Sequence, residues 1–468
     1  MLGGGLAGLS TALAFARRGR RVILVERDGP IDDRAGADEL FDWERPGVAH
    51  FRQPHNFLGL ARKVLVDEAP DVLEAVLGRG GLENRQYELL PGDMEAEDES
   101  FVSIWARRPL FESALRRAVE GEPNISLITD ARVVGLIVKP DSRGQDIRVT
   151  GARTASGDEI TADLTVDALG RTSHLGSWLT SLGARPLLER RAECGLIYYS
   201  RHFRFRPGVS MPTVHSLHRV PRGEIGYMAF GMFIEDNGTF ALVLMIPPWE
   251  RDLRVLRFEK QYMAAALAMP PLVPWVHPDQ AEPLTPVLAM GSLQNVHRSL
   301  VSDGKPVAVG IQPVGDALCH TNPTFAYGAS LSIHHAFTLA RVAAEIEDPA
   351  SIARSFDDAV GADAAARFDV VSAEDRDRLR HWRGQPIDVR DPADSMALFL
   401  RLTAFPAAVR DADLFRAVAR QVNLLGPPDA LQRNELLIER AKTLAATQVS
   451  VPLAVPSRPD LLETISAI

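Results

Sequence analysis

Three glycines near the beginning of the chain have the spacing of a phosphate-binding loop. Gly3, Gly5 and Gly8 form a G-x-G-x-x-G pattern, and an apolar run from Leu9 to Phe15 follows it. Glycines permit a tight turn and bring backbone N–H groups close to a pyrophosphate, whose charge the positive end of the following helix stabilises. The last glycine of the pattern lets that helix pack closely on its sheet. The pattern therefore predicts a dinucleotide site.

An acidic residue stands where such a site requires one. Glu26 ends the strand-like run of residues 22–25. A carboxylate at this position can accept hydrogen bonds from ribose hydroxyls. The glycine motif normally follows a buried strand of about five residues, yet only Met1 and Leu2 precede Gly3. Either the start is assigned late or the chain is truncated, and we expect the central strand of the sheet to be lacking.

Composition and charge exclude several classes of protein. A chain of 468 residues exceeds a single core, so two joined domains and a tail segment are expected. The net charge of -9 argues against a sequence-independent nucleic-acid binder. The two cysteines, Cys194 and Cys319, form no C-x-x-C motif, which fits a reducing compartment and excludes a cysteine-built zinc site. We expect no metal site.

The distribution of apolar residues predicts a cytoplasmic protein without a membrane span. No apolar run in the sequence approaches the roughly 18 residues that a bilayer span requires. The N-terminus also lacks the basic flank and apolar core of a signal peptide.

Apolar periodicity predicts how the remaining chain is organised. Short alternating runs between Ile125 and Val138 and from Asp146 to Val166 predict strands. Aromatic and β-branched residues from Glu193 to Ile246 predict an antiparallel sheet that carries a substrate wall. The run from Pro306 to Val314 predicts one buried strand, and a long helix is predicted to start near Gly328.

Two later segments resemble elements of a known flavoprotein family. Residues 167–173, DALGRTS, resemble the D-A-x-G-R-x-S element of the group A flavoprotein monooxygenase superfamily, whose FAD-binding fingerprint the opening glycines also resemble. Residues 315–323, GDALCHTNP, resemble its G-D-A-x-x-x-x-x-P element. The segments RPGVAHFRQPHNF, RRPLF and YYSRHFRFRPG resemble, more loosely, an actinobacterial branch with flavin-dependent epoxidases and halogenases.

The resemblance implies an α/β fold. In that fold a Rossmann-like FAD-binding domain is interleaved with a β-sheet substrate domain and followed by a mainly helical C-terminal region. We expect residues 1–185 with 300–345 to form the FAD-binding domain, residues 186–299 the β-rich substrate domain, and residues 346–468 the helical region.

The resemblance also implies which residues hold FAD. Asp316 would accept a hydrogen bond from the ribityl chain, and Pro323 would shape the loop at the flavin ring. The helix that opens at Gly328 would direct its N-terminal dipole at the pyrimidine edge of the ring. Arg108 would reach FAD from the start of its own helix. The expected cofactor-binding residues are Gly3, Gly5, Gly8, Glu26, Arg27, Arg108, Val133, Gly170, Asp316, Pro323, Gly328, Ala329 and Ser330.

Two departures from the family pattern concern the flavin loop. Phe325 stands where the family often has a glycine, so we expect it to narrow the pocket or to stack near the ring. Cys319 replaces a frequent histidine and is followed by His320. Adjacent side chains point apart, so we do not expect these two to form a nucleophile and base. The catalytic residues are left unassigned.

The resemblance implies an FAD-dependent oxidoreductase, and a monooxygenase is the favoured activity. It would use O₂ to hydroxylate or epoxidise an apolar small molecule, in secondary metabolism. The sequence has no second G-x-G-x-x-G. NADH or NADPH would therefore dock transiently, or a separate flavin reductase would supply reduced flavin.

Three alternatives remain open. A flavin-dependent reductase or dehydrogenase similar to the geranylgeranyl reductases carries the same D-A-x-G-R element. A halogenase is ranked lower, because it needs a lysine beyond the flavin. Members that resemble tryptophan halogenases also carry a W-x-W-x-I-P segment, which residues 246–249, IPPW, match only superficially. The chain would otherwise be a truncated FAD-binding protein without activity.

Overall fold

The helices are distributed over the whole of the described chain. The computed structural model describes residues 1–29, 39–140, 147–447 and 455–468. The α-helices in these ranges are α1 (Leu6–Ala16), α2 (Gly59–Glu68), α3 (Pro70–Gly78), α4 (Arg108–Glu120), α5 (Leu175–Ser181), α6 (Glu259–Leu267), α7 (Val273–Val276), α8 (Tyr327–Glu345), α9 (Pro349–Trp382), α10 (Pro392–Phe399), α11 (Phe405–Ala407), α12 (Ala412–Val422), α13 (Glu435–Ala446) and α14 (Arg458–Ser466).

The strands lie in the first 320 residues. They are β1 (Val22–Val25), β2 (Leu82–Arg85), β3 (Val102–Trp105), β4 (Ile125–Ile128), β5 (Val133–Pro140), β6 (Ile147–Thr154), β7 (Glu159–Thr161), β8 (Thr165–Asp167), β9 (Leu188–Glu193), β10 (Ile197–Phe205), β11 (Arg222–Glu224), β12 (Ala229–Ile234), β13 (Thr239–Ile246), β14 (Ala281–Pro283), β15 (Leu288–Met290), β16 (Gln294–Ser299), β17 (Val301–Ser302), β18 (Lys305–Pro306), β19 (Ile311–Pro313) and β20 (Cys319–His320).

The first residues of the chain join two pairs of parallel strands. β1 pairs with β4, and β19 pairs with β8, both in parallel. Leu2 lies between the two pairs and bridges Val25 on one side and Asp167 on the other. Its amide donates to the carbonyl of Val166 over 2.8 Å. Leu2 thus occupies the position of the expected central strand between β1 and β8, but it forms isolated bridges there and not a strand of about five residues.

Helices α1 and α8 pack together in the core beside this sheet. Every residue of α1 is buried, as expected for a helix that is apolar or small on all faces. Leu9 and Leu13 of α1 belong to the same hydrophobic cluster as Ile333 and Phe337 of α8. This packing fixes both helix N-termini relative to the sheet.

A second sheet is antiparallel and has two unlike faces. Its strand order is β11-β12-β13-β10-β14, and β15 also pairs with β10. Because side chains alternate along a strand, one face carries large residues such as Phe230 and Leu242, which pack with α6, α7 and α14. The opposite face carries Ala229, Gly231 and Ala241 at its centre. Of these three residues, Gly231 borders open space, beside Phe233, Val243 and Met245 of the same face.

The strand predicted from Pro306 to Val314 is interrupted. The structure has a hairpin of β17 and β18, and then a separate strand, β19. Gly310 between them has a φ of +77°, and a Cβ there would overlap the carbonyl oxygen of Val149. Close approach to β6 and a left-handed backbone, which glycine adopts readily, therefore divide the predicted strand.

The C-terminal region is helical, as predicted. α9 has 34 residues, and α10 to α13 follow it and form a cluster that includes Phe399, Phe415 and Ile438. The predicted α/β fold, with an antiparallel sheet between its parts and a mainly helical C-terminal region, is confirmed. The three domain boundaries stay a prediction. Within the described ranges, no helix is both long and apolar enough to cross a membrane.

Candidate functional site

Three loops that are distant in sequence meet at the carboxyl edge of the parallel sheet. Glu26 directly follows β1, Gly170 follows β8, and Asp316 follows β19. A Cβ added to Gly315 would lie only 2.9 Å from the Cβ of Ala7. The third motif is thus in contact with the first turn of α1, and one site can use all three loops.

The glycine loop is shaped by two close contacts and one open position. Gly3 has a φ of +95°, and a Cβ there would lie 2.7 Å from the carbonyl oxygen of Ala168. A Cβ on Gly8 would overlap the carbonyl oxygen of Gly3. A Cβ on Gly5 would instead have its nearest described neighbour at 3.6 Å. The fold therefore requires Gly3 and Gly8, whereas Gly5 leaves space for a ligand.

Glu26 is held as an ionised acceptor beside this loop. Its Oε2 accepts from the Gly4 amide over 2.5 Å and pairs with Nη2 of Arg45 over 2.6 Å, and its Oε1 accepts from the Asp28 amide over 2.8 Å. Burial raises the pKa of Glu26, but Arg45 and the two amides outweigh it and hold the pKa below its ordinary value. A carboxylate offers about four acceptor positions, so one remains for a ligand hydroxyl.

Arg45 is a site residue that the sequence analysis missed. Its side chain is 1% exposed and contacts the carboxylates of Glu26, Asp28 and Glu112. It also donates to the carbonyl of Gly4 over 3.0 Å. Arg45 therefore ties the glycine loop to α4. The only sequence signal was the first residue of the RPGVAHFRQPHNF segment, which lies outside any periodic pattern.

Arg108 reaches the glycine loop from the first turn of α4, and its expected contact with FAD stays a prediction. Its Nε donates to Oε2 of Glu112 over 3.0 Å, and its Nη2 lies 3.6 Å from the position of a Cβ on Gly5. Its guanidinium lies 5.8 Å from the centroid of the Phe51 ring. Arg108 is thus positioned beside the part of the loop that remains open.

His50 and His55 lie between the first and third motifs. Their rings stack with centroids 5.8 Å apart. Burial and the charge of Arg108 lower the pKa of both histidines, to about 3 for His55, although Asp316 acts in the opposite direction. Both imidazoles are therefore neutral at physiological pH.

The middle motif forms a tight turn that exposes its glycine. Asp167 accepts hydrogen bonds from the Leu169 amide over 3.0 Å and the Ser173 hydroxyl over 2.5 Å. Burial raises the pKa of Asp167, against these hydrogen bonds, which lower it. Gly170 has a φ of +71°, and no described atom lies within 4 Å of the position of its Cβ. The acid shapes the turn, and the glycine presents open backbone.

Asp316 is ionised and faces the start of α8. Its Oδ2 lies 3.1 Å from Nδ1 of His320, and its Oδ1 lies 3.1 Å from the position of a Cβ on Gly328. Burial raises the pKa of Asp316, but His320 and Arg108 outweigh it and hold the pKa well below its ordinary value. Oδ1 is available to accept a hydrogen bond at the beginning of α8.

The first turn of α8 is an uncapped helix N-terminus. Ala326, its N-cap, has a φ of +56° and makes no side-chain capping bond. The first amides of a helix have no partner within the helix. Ala329 is buried, and the hydroxyl of Ser330 accepts from the amide of Leu58 over 2.9 Å. The Ser330 side chain thus holds α2, and the backbone of this turn is what a ligand would meet.

The loop of Pro323 is anchored through its neighbour Asn322. The Asn322 amide group donates to Oδ1 of Asp375 over 2.6 Å, and its Oδ1 accepts from the Tyr198 hydroxyl over 2.5 Å. Its backbone amide donates to Oδ1 of Asn295 over 2.6 Å. The local sequence around Asn322 gives no sign of this anchor, which joins the loop to β10 and to α9.

Cys319 does not have the properties of a nucleophile. Its side chain is 1% exposed, and burial raises its pKa to about 12. His320 directs Nδ1 at Asp316. The pair contributes to the surroundings of Asp316 and not to thiol chemistry.

The Pro323 loop lines a cavity of about 1030 Å³. One wall is the face of the antiparallel sheet that carries Gly231, and another is the C-terminal helices. The loop contributes Pro323, Thr324 and Phe325 to the lining. Apolar lining residues from the two walls include Phe233, Val243, Met245, Leu402, Phe405 and Val409. No lysine is among the lining residues that the structure describes.

Known proteins are similar to this chain in both sequence and fold. Residues 1–190 match the model of the family described as glucose inhibited division protein A. Protein Rv3254 of Mycobacterium tuberculosis is 26% identical over 362 residues, which cover 71% of this chain and 70% of that protein.

Solved structures extend the similarity to nearly the whole chain. PqsL, a probable FAD-dependent monooxygenase from Pseudomonas aeruginosa, superposes with a TM-score of 0.54 at 16% identity, over 82% of this chain and 97% of its own. The flavin-dependent brominase Bmp2 gives a TM-score of 0.55 at 15% identity, over 91% of this chain and 98% of its own. This chain shares the fold of these flavin-dependent enzymes. The resemblance identified from the sequence is confirmed at this level.

The described residues fit FAD in this fold. The N-terminus of α1 has no side-chain cap and can receive a diphosphate beside Gly5. Glu26 keeps one acceptor position for a ribose hydroxyl, and Asp316 keeps Oδ1 for a hydroxyl of the ribityl chain. The uncapped start of α8 offers amides to a ring that lies beside the cavity.

Arg27 and Val133 lie at the Glu26 end of this arrangement. Arg27 is exposed and donates to the carbonyl of Pro46 over 3.0 Å. Val133 begins β5, two residues after Ala131, whose amide donates to the carbonyl of Glu26 over 2.9 Å. Their predicted contact with FAD stays a prediction.

Proposed function

We propose that this chain is an FAD-dependent oxidoreductase, and specifically a monooxygenase of an apolar small molecule. The observation that carries the proposal is the cavity of about 1030 Å³, which the Pro323 loop lines beside the start of α8. In this fold a substrate in the cavity would lie next to a ring held at that helix.

Each of the three loops has a role in holding FAD. The amides at the start of α1, together with Gly5 and Arg108, would hold the diphosphate. Glu26 would accept from the adenosine ribose, and Asp316 from the ribityl chain. We assign the other expected residues, Arg27, Val133 and Gly170, to the same site as part of this proposal. When bound, FAD supplies the electron transfer to O₂ by which an oxygen atom reaches the substrate.

The chain itself positions the substrate and excludes water. The hydrogen bonds from Tyr198 and to Asp375 fix Asn322, so the loop of Pro323 keeps its place beside the cavity. The apolar walls exclude water from the reacting atoms. Such chemistry needs few acid or base side chains, and we assign no catalytic residue.

The donor and the setting are part of the same proposal. NADH or NADPH would dock transiently, or a separate flavin reductase would supply reduced flavin. We further propose a cytoplasmic enzyme of secondary metabolism, with residues 1–185 and 300–345 as its FAD-binding domain, residues 186–299 as its substrate domain and residues 346–468 as its helical region.

Two other flavin activities fit this fold less well or need a separate test. A brominase, Bmp2, shares the fold, but the described lining of the cavity has no lysine, which a halogenase would need. A reductase or dehydrogenase would not couple oxygen consumption to product. Measuring oxygen consumption against product formation, with a substrate that the enzyme converts, distinguishes a reductase or dehydrogenase from a monooxygenase.

We expect the purified protein, or the protein after addition of FAD, to show flavin absorbance bands.

Asp316→Asn should weaken FAD binding about tenfold or more, because it removes a charged acceptor. Flavin fluorescence titration measures this affinity. Asp303→Asn, in the exposed turn between β17 and β18, is the matched control and should bind FAD as the wild type does. Absence of flavin bands even with added FAD would favour a binding protein without activity and refute the proposal.

We expect Gly231→Val to shrink the cavity without disturbing the fold. Gly231 has an ordinary φ, and a Cβ there would lie 3.8 Å from Cγ of Arg222 and 4.0 Å from Cε of Met245. A larger side chain would therefore extend into the cavity. The Kd of the neutral fluorophore N-phenyl-1-naphthylamine should rise about tenfold, as expected for lost apolar contact. Gly135→Val, in β5 with open space around it, should leave that Kd unchanged. Equal binding by Gly231→Val and wild type would show that the fluorophore does not occupy this cavity.

A further inference from the structure

Arg222 places a cation in the wall of the cavity. It pairs with Gly231 across β11 and β12, and its guanidinium lies 5.1 Å from the centroid of the Phe233 ring. The side chain is exposed, and it lines the cavity. Its exposed surface therefore faces the space that a substrate would fill.

The carboxylates of the cavity wall are already paired with another arginine. Arg401 contacts Glu374 over 2.6 Å and Glu224 over 3.2 Å. Glu224 also accepts from Nε1 of Trp382 over 2.9 Å. Among the described lining residues these are the acidic ones, so Arg222 is left without a carboxylate partner in the cavity.

The electrostatic surroundings of Arg222 agree with this geometry. Arg222 keeps accessible surface in the cavity, but desolvation by the surrounding protein and the charge of Arg401 lower its pKa to about 10, and no carboxylate acts to raise it. Arg222 is therefore protonated at neutral pH. Burial and the charges of Arg222 and Arg401 also lower the pKa of His218 well below its ordinary value. The neighbouring imidazole is therefore neutral, and it adds no charge beside Arg222.

We propose that Arg222 binds an anionic oxygen group of the substrate, for which a carboxylate is the best match. The inference rests on the proposed function, because it names the substrate class of the same cavity. Arg222 meets no carboxylate among the described lining residues of the cavity, and a planar guanidinium matches a carboxylate with two parallel hydrogen bonds. The substrate is thus an apolar molecule with one acidic end.

The position of Arg222 also orients such a substrate. Arg222 belongs to β11 at the edge of the sheet, whereas Pro323 and Phe325 line the same cavity from the loop. With its acidic end at Arg222, the apolar body extends along Phe233 and Met245. An apolar carbon, and not the acidic group, is then presented at the Pro323 loop.

The test compares two ligands that differ only in charge. Isothermal titration calorimetry of the FAD-loaded protein would measure binding of 2-naphthoate and of its neutral analogue 2-naphthamide. We expect the wild type to bind the acid about tenfold or more tightly than the amide, and Arg222→Gln to lose this preference. Arg222→Lys keeps the charge but cannot donate two parallel hydrogen bonds, so it should retain part of the preference for 2-naphthoate.

A matched control is Arg257→Gln. Arg257 also lies over an aromatic ring, 4.6 Å from the centroid of Phe258, but on the exposed surface. The Arg257→Gln variant should prefer 2-naphthoate over 2-naphthamide to the same extent as the wild type. Flavin spectra and melting temperatures report whether each variant is folded and loaded.

The results separate this inference from the function on which it rests. A wild type that lacks flavin bands refutes the proposed function. A wild type that binds FAD but does not prefer 2-naphthoate, including one that binds neither ligand, overturns the role of Arg222. Retention of the preference by Arg222→Gln does the same.

Discussion

Arg45→Leu is expected to destabilise the fold by about 3–5 kcal/mol. Arg45 is 1% exposed, and it neutralises the buried carboxylates of Glu26, Asp28 and Glu112. Removing one partner of a buried ion pair leaves uncompensated charge, which costs about this much. Urea unfolding, followed by circular dichroism, measures the free energy of unfolding.

The control for this variant is Arg27→Leu. Arg27 belongs to the same part of the chain, but its side chain is 46% exposed, so its loss should cost less than about 0.5 kcal/mol. If both variants unfold at the same urea concentration, the buried network does not stabilise the fold as described.

The deficit of Arg45→Leu should depend on pH with a definite sign. In the wild type the pKa of Glu26 is lowered from its ordinary 4.5, so its contribution to stability is present above that pH and is lost as pH falls. Without Arg45, burial is the largest remaining influence and raises the pKa of Glu26. The folded variant then gains from protonation, and its deficit relative to the wild type is largest at neutral pH and shrinks toward pH 4.5. A deficit that grows on acidification would contradict this.

Gly8→Ala is expected to destabilise the protein by about 3 kcal/mol or more. The new methyl group would overlap the carbonyl oxygen of Gly3, and a backbone atom cannot rotate away as a flexible side chain can. Overpacking of this kind forces α1 away from the loop. The same urea experiment tests it, and a wild-type midpoint would show that α1 does not pack so closely.

Gly5→Ala provides the contrast within the same motif. The position of its Cβ has its nearest described neighbour at 3.6 Å, so the variant should be as stable as the wild type. It should nevertheless bind FAD about tenfold more weakly, because the methyl group occupies space that the proposed diphosphate needs. Gly78→Ala, at the open end of α3, should change neither quantity. An unchanged FAD affinity in Gly5→Ala would show that the diphosphate does not bind at this loop.

Local patterns were sufficient to predict the elements that begin the site. The apolar run after the glycines predicts α1, and the run before Glu26 predicts β1, because both depend on neighbours a few residues away. Glu26, Gly170 and Asp316 also each follow a strand, and the carboxyl ends of parallel strands share one edge of a sheet. Gly170 and Asp316 do lie at that edge.

Contacts across large sequence distances could not be predicted in this way. Arg45 gains its partners only when α4 packs beside the loop, and Asn322 meets Asp375 only when α9 crosses the Pro323 segment. Gly310 divides a strand because β6 approaches it closely. In each case, the decisive neighbour is supplied by packing and not by the local spacing of residues.

The cavity has one wall from the sheet and another from the short helices that follow α9. Leu402, Phe405 and Val409 belong to this second wall, whereas the three nucleotide loops lie before residue 330. A lineage could therefore change which molecules it accepts by altering one continuous stretch of gene and keep its redox machinery intact. Chimaeras that exchange residues 392–446 between relatives would transfer only the contribution of this wall to substrate range, and the sheet wall with Arg222 would keep its own.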